Sequence, residues 1–288
     1  GPNEHQLRAP IDAGSRNNLC IKCHNNRTVP TATTLGPHAA QGPLVLGQNI
    51  GWWPDSLSWL DGLTSSHGNV AVNEELCATC HVESFEITDP NSGDFVFHSV
   101  GHLFEAIPCV DSVGIPLAGG NCSDSERRFD ACSQCHGSQG LQWYQSFKGE
   151  LTGLLLAIWD DVNGNDTLDA APADTGLLPR IVAQETGKIL DVGDTLFTVA
   201  EGILWNAQLA WTDDAPWFAD GTVTWDESGT TVGVHFSAHP TSGNGVHNPP
   251  FLKALLTASL AHGASVYNVA PPAGLNLKFL EELRARKR

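Results

Sequence analysis

The chain has 288 residues and a formal net charge of −17, with 32 acidic side chains against 15 basic ones. This acidity argues against nucleic acid or an anionic membrane surface as a partner, because both require a basic face on the protein. A hydrophobic content of 41% argues against a disordered chain, and no apolar stretch is long enough to span a membrane.

The motif Cys-x-x-Cys-His occurs three times in the first half of the chain. In this motif the two thiols attach covalently to the vinyl groups of haem, and the histidine that follows supplies the first axial ligand of the iron. The sequence therefore predicts three haem c groups. The predicted attachment cysteines and proximal histidines are Cys20, Cys23 and His24; Cys77, Cys80 and His81; and Cys132, Cys135 and His136.

Zinc sites, iron–sulfur sites and thioredoxin-like redox motifs also use Cys-x-x-Cys pairs. Zinc ribbons do not ordinarily require a histidine directly after both pairs, and three pairs give no even set of four-ligand sites. A thioredoxin-like motif would occur once, in a βαβ setting. Haem attachment is the interpretation that accounts for all three motifs.

The cysteines also indicate a compartment. Haem is attached to thiols on the outer side of the cytoplasmic membrane, so we expect an extracellular or cell-surface protein, with the periplasm as the alternative. No signal peptide is visible, and we expect the numbered chain to be a processed form. The two cysteines outside the motifs, Cys109 and Cys122, are predicted to form a disulfide, which such compartments permit. Two buried free thiols are the alternative.

The second axial ligands are restricted by composition. The chain contains no methionine, so a haem with His/Met ligation, which raises the reduction potential, cannot form. If every iron is six-coordinate, three of the remaining histidines complete the ligand sets.

The segments around several histidines resemble those of the bacterial bis-histidine multihaem c-type cytochromes. The matching strings are Asn25-Asn26-Arg27 with Pro37-His38-Ala39-Ala40-Gln41, Ser66-His67 ahead of the second motif, Gly101-His102-Leu103-Phe104 after it, and Gly245-Val246-His247-Asn248-Pro249. The resemblance implies His38, His67, His102 and His247 as distal candidates for three irons. It leaves open which histidine binds which iron, and whether a ligand comes from another subunit.

Three regions are expected along the chain. Residues 1–150 form the trihaem-binding region, and residues 151–240 form a region of helix, loop and hairpin. Residues 241–288 form a C-terminal segment that carries a distal histidine and a helix and packs back on the haem region. The predicted fold class is a mostly irregular and α-helical multihaem cytochrome c fold organised around three haems, with a few helices and a small β-hairpin region.

Four elements are predicted from apolar spacing and turn residues. Helices are expected over 147–159 and 196–211, and a hairpin over 221–236. A further helix should begin near Pro249, because proline is tolerated in the first turn, and run to Leu260.

An acidic loop follows the first of these helices. Its oxygen-bearing side chains have the spacing of a calcium-binding loop, so Ca²⁺ binding is one expectation. The loop departs from the EF-hand at Asp166 and at Pro172, where glycine and glutamate are usual, and a loop closed by Asx turns is the alternative. The candidate ligands are Asp161, Asn163, Asn165, Thr167 and Asp169.

Electron transfer is the leading functional hypothesis, and we expect a carrier, not an enzyme. Two histidine ligands leave no open position on the iron for a substrate. A reductase of a small oxy-compound such as nitrite is the alternative and would need one five-coordinate haem. The expected partners are redox proteins, other cytochromes, or further copies of this chain in a head-to-tail polymeric wire.

Overall fold

The structure is a computed structural model that describes residues 18–31, 36–82, 84–89, 91–99, 104–112, 114–117, 122–184, 198–224, 233–237 and 244–287. The α-helices are α1 Asn18–Cys23, α2 Gln41–Leu46, α3 Cys77–His81, α4 Asp130–His136, α5 Gly140–Ile158, α6 Leu177–Gln184, α7 Val199–Ala210, α8 Asn244–His247, α9 Pro249–Val266 and α10 Leu277–Lys287. The strands are β1 Phe85–Thr88, β2 Phe95–Ser99, β3 Cys109–Val110, β4 Pro116–Leu117, β5 Thr167–Leu168, β6 Asp220–Thr224 and β7 Gly233–Ser237. The described residues form a mostly helical and irregular fold with a few short strands, in agreement with the coarse prediction.

The core is built on α5, α7 and α9, which pack against one another. Leu155 of α5, Ile203 of α7 and Leu255 of α9 are buried in one apolar cluster. Helix α7 is buried over residues 200–210. Most of its side chains are apolar, and the amide nitrogen of the buried Asn206 donates to the carbonyl of Trp52 and to the hydroxyl of Ser259. The first turn of α7 is closed by a capping box, in which Thr198 and Glu201 each bond the other's backbone N–H.

The same core extends to the N-terminal region. Leu44 of α2, together with Ile50, Leu60 and Leu63, belongs to the cluster that α5, α7 and α9 form. The segment around α2 is therefore fixed on the helical core, and with it part of the chain between the first and second Cys-x-x-Cys-His motifs.

Strands occur in three small sheets. The predicted hairpin over 221–236 is confirmed, since β6 and β7 are antiparallel, and β5 pairs with β6 in parallel. Strands β1 and β2 form an antiparallel pair after the second motif. Strands β3 and β4 pair beside the bridge between Cys109 and Cys122, so the predicted disulfide is present.

The helix predictions hold with shifted ends. The helix predicted over 147–159 begins earlier, at Gly140. The helix predicted over 196–211 runs from Val199 to Ala210, and residues 196–197 lie outside the described residues. The helix predicted from Pro249 begins there and continues to Val266. Among the helices that the structure describes, none is long and apolar enough to cross a membrane.

Candidate functional site

Each Cys-x-x-Cys-His motif lies on a short helix or at its end. Helix α3 consists of the second motif and α4 ends with the third. Helix α1 ends at Cys23, and the backbone N–H of His24 donates to the carbonyl of Cys20 at 3.0 Å, which continues the helical pattern. Residues i, i+3 and i+4 share one helix face. The two thiols and the histidine of each motif therefore project from the same side.

Helix α2 packs closely on the first motif. The backbone N–H of Gly42 donates to the carbonyl of His24 at 2.9 Å. A Cβ at Gly42 would lie 2.8 Å from that same oxygen, so this approach requires glycine. The neighbouring Gln41 places Oε1 3.0 Å from Nδ1 of His24.

Hydrogen bonds to oxygen fix the tautomer of three histidines. Nδ1 of His67 lies 2.6 Å from the carbonyl oxygen of Val246, and Nδ1 of His81 lies 2.6 Å from that of Phe104. A carbonyl oxygen only accepts, so Nδ1 carries the proton in these rings, and the amide oxygen of Gln41 has the same effect on His24. In the neutral ring this tautomer leaves the lone pair on Nε2, which is the atom that a metal ion would bind.

Two pairs of histidine rings lie close together. The ring centroids of His81 and His247 are 6.2 Å apart, and those of His67 and His136 are 6.0 Å apart. Two imidazoles bound on opposite sides of one metal ion, with bonds of about 2 Å, have centroids about 6 Å apart. Each pair joins the predicted proximal histidine of one motif to one distal candidate, and its ring separation is the one that a bis-histidine haem would need.

Burial favours the neutral form of His67. Desolvation lowers its pKa, the hydrogen bond to Val246 opposes this effect, and the neighbouring His136 lowers the pKa further. The neutral imidazole is the form that binds a metal ion.

The other two distal candidates, His38 and His102, do not belong to either of these ring pairs. His38 forms an isolated β-bridge with Asn26, which brings its backbone beside the segment that follows His24. His102 lies outside the described residues. The first motif therefore has two remaining candidates for its second axial ligand.

In space, the first motif lies beside the second, and the second lies beside the third. The thiol of Cys77 is within hydrogen-bonding reach of Cys20, and burial together with this neighbour raises the pKa of Cys77 to about 11. Ile21 of the first motif packs with Leu76 in a small apolar cluster. The helix of the second motif contacts that of the third. The second motif thus lies between the other two.

The acidic loop is closed by its own hydrogen bonds. The carboxylate of Asp161 accepts backbone N–H groups from Gly164 and Asp166 at 3.0 and 2.8 Å. The side-chain amides of Asn163 and Asn165 donate to Asp169 at 2.7 and 3.0 Å. The remaining candidate is Thr167, whose N–H donates to the side-chain oxygen of Asn165. These contacts are those of the Asx-turn alternative, and Ca²⁺ binding stays a prediction.

Among the described residues, no group of three or more His, Cys, Asp and Glu side chains is arranged to hold a metal ion. A haem iron needs only two protein ligands, because the porphyrin supplies the others.

Sequence reasoning missed the residues that orient the histidines. Gln41 and Asn248 lie in the segments that resemble multihaem cytochromes, but the sequence assigns them no role. The backbone carbonyl groups of Val246 and Phe104 could not be found from the sequence, because every residue has a backbone carbonyl group. Comparison of the chain with protein-family models, with curated proteins and with solved structures finds no match.

The angles between the ring planes would give the two proposed haems different spectroscopic signatures. The planes of His81 and His247 are 13° apart, whereas those of His67 and His136 are perpendicular at 90°. Each imidazole donates π density to the iron d orbital perpendicular to its plane, so parallel rings split that pair of orbitals and perpendicular rings leave it nearly degenerate. Electron paramagnetic resonance of the oxidised holoprotein should therefore show a rhombic low-spin signal and a strongly anisotropic one.

Variants assign these signals. We expect His247→Gly to remove the rhombic signal and His67→Gly to remove the anisotropic one, while the exposed His98→Ala should leave both unchanged. Loss of the same signal in both glycine variants would contradict the assignment.

Proposed function

We propose that the chain transfers electrons outside the cytoplasm through three covalently bound haem c groups. The observation that carries this proposal is the separation of about 6 Å between a proximal histidine and a distal candidate in two independent pairs, as two ligands of one metal ion require. The Nδ1–H contacts of His67 and His81 support it, because they leave Nε2 available to a metal.

Bis-histidine ligation favours a carrier over an enzyme. Haem supplies a reversible one-electron iron couple when it is bound. His81 with His247, and His67 with His136, would occupy both axial positions, so no position remains for a substrate. The absence of methionine from the chain keeps the ligand set at two imidazoles, which favours a lower reduction potential than His/Met ligation does.

Apolar side chains beside the ligands support a haem-covered surface. Phe104, whose carbonyl accepts from His81, is 64% exposed, and Trp143, with its ring centroid 6.1 Å from that of His136, is 57% exposed. A porphyrin is a large apolar surface, and such side chains would pack against it. The contact between the first and second motifs, and that between the second and third, would give a continuous path through the chain.

We further propose that copies of the chain assemble into a polymeric wire. His67 and His247 are used by two pairs, and His38 and His102 remain for one iron. A spare histidine could bind the haem of a neighbouring copy. A head-to-tail contact of this kind, repeated along one axis, generates an open filament.

Carbon monoxide tests the carrier proposal. The holoprotein should carry three covalent haems by mass and bind little CO in the reduced state. His67→Gly and His247→Gly should each open one haem, so that about one equivalent of CO binds per chain. His98→Ala is the matched control, and it should bind as little CO as the unaltered protein. A mass without covalent haem would overturn the proposal, and one full equivalent of CO on the unaltered protein would favour the reductase.

Electron microscopy of undenatured holoprotein tests the polymer. We expect filaments with a regular axial repeat, and we expect substitution of the histidine that crosses between copies, either His38 or His102, to abolish them. A monomer at high protein concentration with all irons ligated by its own chain would contradict the polymer and leave the carrier proposal intact.

A further inference from the structure

We propose that Asn248 is the positioning residue that holds His247 in place as an axial ligand, an inference that rests on the proposed function. Asn248 follows His247 directly and is fully buried. Its amide nitrogen donates to two backbone carbonyls far away in the chain, that of Leu44 at 3.1 Å and that of Leu63 at 2.8 Å. Its side chain thus joins the C-terminal segment to the N-terminal region.

The local helix does not use this side chain. Asparagine is among the preferred residues at a helix N-cap, where its oxygen accepts an N–H from the first turn. Asn248 is the N-cap of α9, yet it makes no such bond. Pro249 and Pro250 follow it, and proline has no N–H to offer. Its amide nitrogen instead donates to carbonyl groups outside the helix.

One of the two carbonyls belongs to a segment that contacts a predicted ligand, and the other belongs to a segment that carries one. Leu44 lies in α2, whose Gln41 contacts His24, and Leu63 precedes His67 by four residues. Two hydrogen bonds join these segments without Asn248. The N–H of Gly62 donates to the carbonyl of Gly47. The hydroxyl of Thr64 donates to the carbonyl of Val45 at 2.9 Å. The two segments form a platform, which we define as residues 41–47 and 61–68.

His247 is held on both sides. Its predecessor Val246 accepts the hydrogen bond from His67, and its successor Asn248 is bound to the platform. The peptide around His247 can then shift only if one of these contacts breaks. Because His67 is part of the platform, the distal ligands of two different irons are positioned by one hydrogen-bonded unit.

Asn248→Ala tests the inference, with Asn206→Ala as the matched control. Asn206 is also fully buried, and its amide bonds to Trp52 and Ser259, away from the ligand segments. In Asn248→Ala we expect the CO-reactive fraction of the haem bound by His81 to rise by at least about tenfold, because two buried hydrogen bonds are lost. The rhombic resonance signal should fall in proportion. Asn206→Ala should lower the stability to unfolding and leave CO binding and the rhombic signal unchanged.

Asn248→Ser provides a second test in case the Asn248→Ala protein does not fold and accumulate. Asn248→Ser retains one hydroxyl donor, and we expect a CO-reactive fraction between those of the unaltered protein and Asn248→Ala. Equal CO binding by the Asn248 and Asn206 variants would overturn the positioning role. An unaltered protein without three covalent haems would instead overturn the proposed function, so the two failures are distinguished.

Discussion

The proposed haem sites depend on one geometric constraint, that two imidazoles must lie at the separation that one metal ion between them requires. The two histidine pairs at this separation join residues that are far apart in sequence. The contact between His67 and the carbonyl of Val246 joins residues 179 positions apart. Any loss of register between the N-terminal and C-terminal segments would separate the paired rings, so the fold must fix these segments relative to each other.

The helical core provides that fixation. Helix α9 is buried along most of its length, and its first residue follows Asn248 directly. His247 is therefore attached to a rigid element that packs on α5 and α7. Helix α2 reaches the same core through Leu44. A displacement of either ligand segment would require exposure of apolar surface, which costs about 25 cal/mol for each Å².

Hydrogen bonds then set the orientation of each ring within this frame. The carbonyl groups of Val246 and Phe104 accept hydrogen bonds from Nδ1 of His67 and His81 and so determine the tautomer of these rings. Hydrogen bonds of this kind also raise the basicity of a histidine that binds a metal ion. The two ring pairs share this feature and differ in the angle between their planes, 13° against 90°. The fold thus distinguishes two sites whose local sequence motifs are alike.

The sequence predicted the local features well, because each depends on a few neighbouring residues. The helix that begins at Pro249 and the disulfide between Cys109 and Cys122 are of this kind. It did not predict the start of α5 at Gly140, because the first turns carry exposed polar residues such as Gln142 and Gln145, and the apolar face becomes evident only later. The pairing of His81 with His247 could not be predicted either, because it arises from tertiary packing.

The position of the iron atoms tests the central claim most directly. Anomalous diffraction at the iron absorption edge, from crystals of the holoprotein, locates each iron without reference to the chain. We predict three iron peaks per chain, with one between the rings of His81 and His247 and one between those of His67 and His136. Iron peaks away from these two ring pairs, or motif thiols grouped around another metal, would contradict the claim.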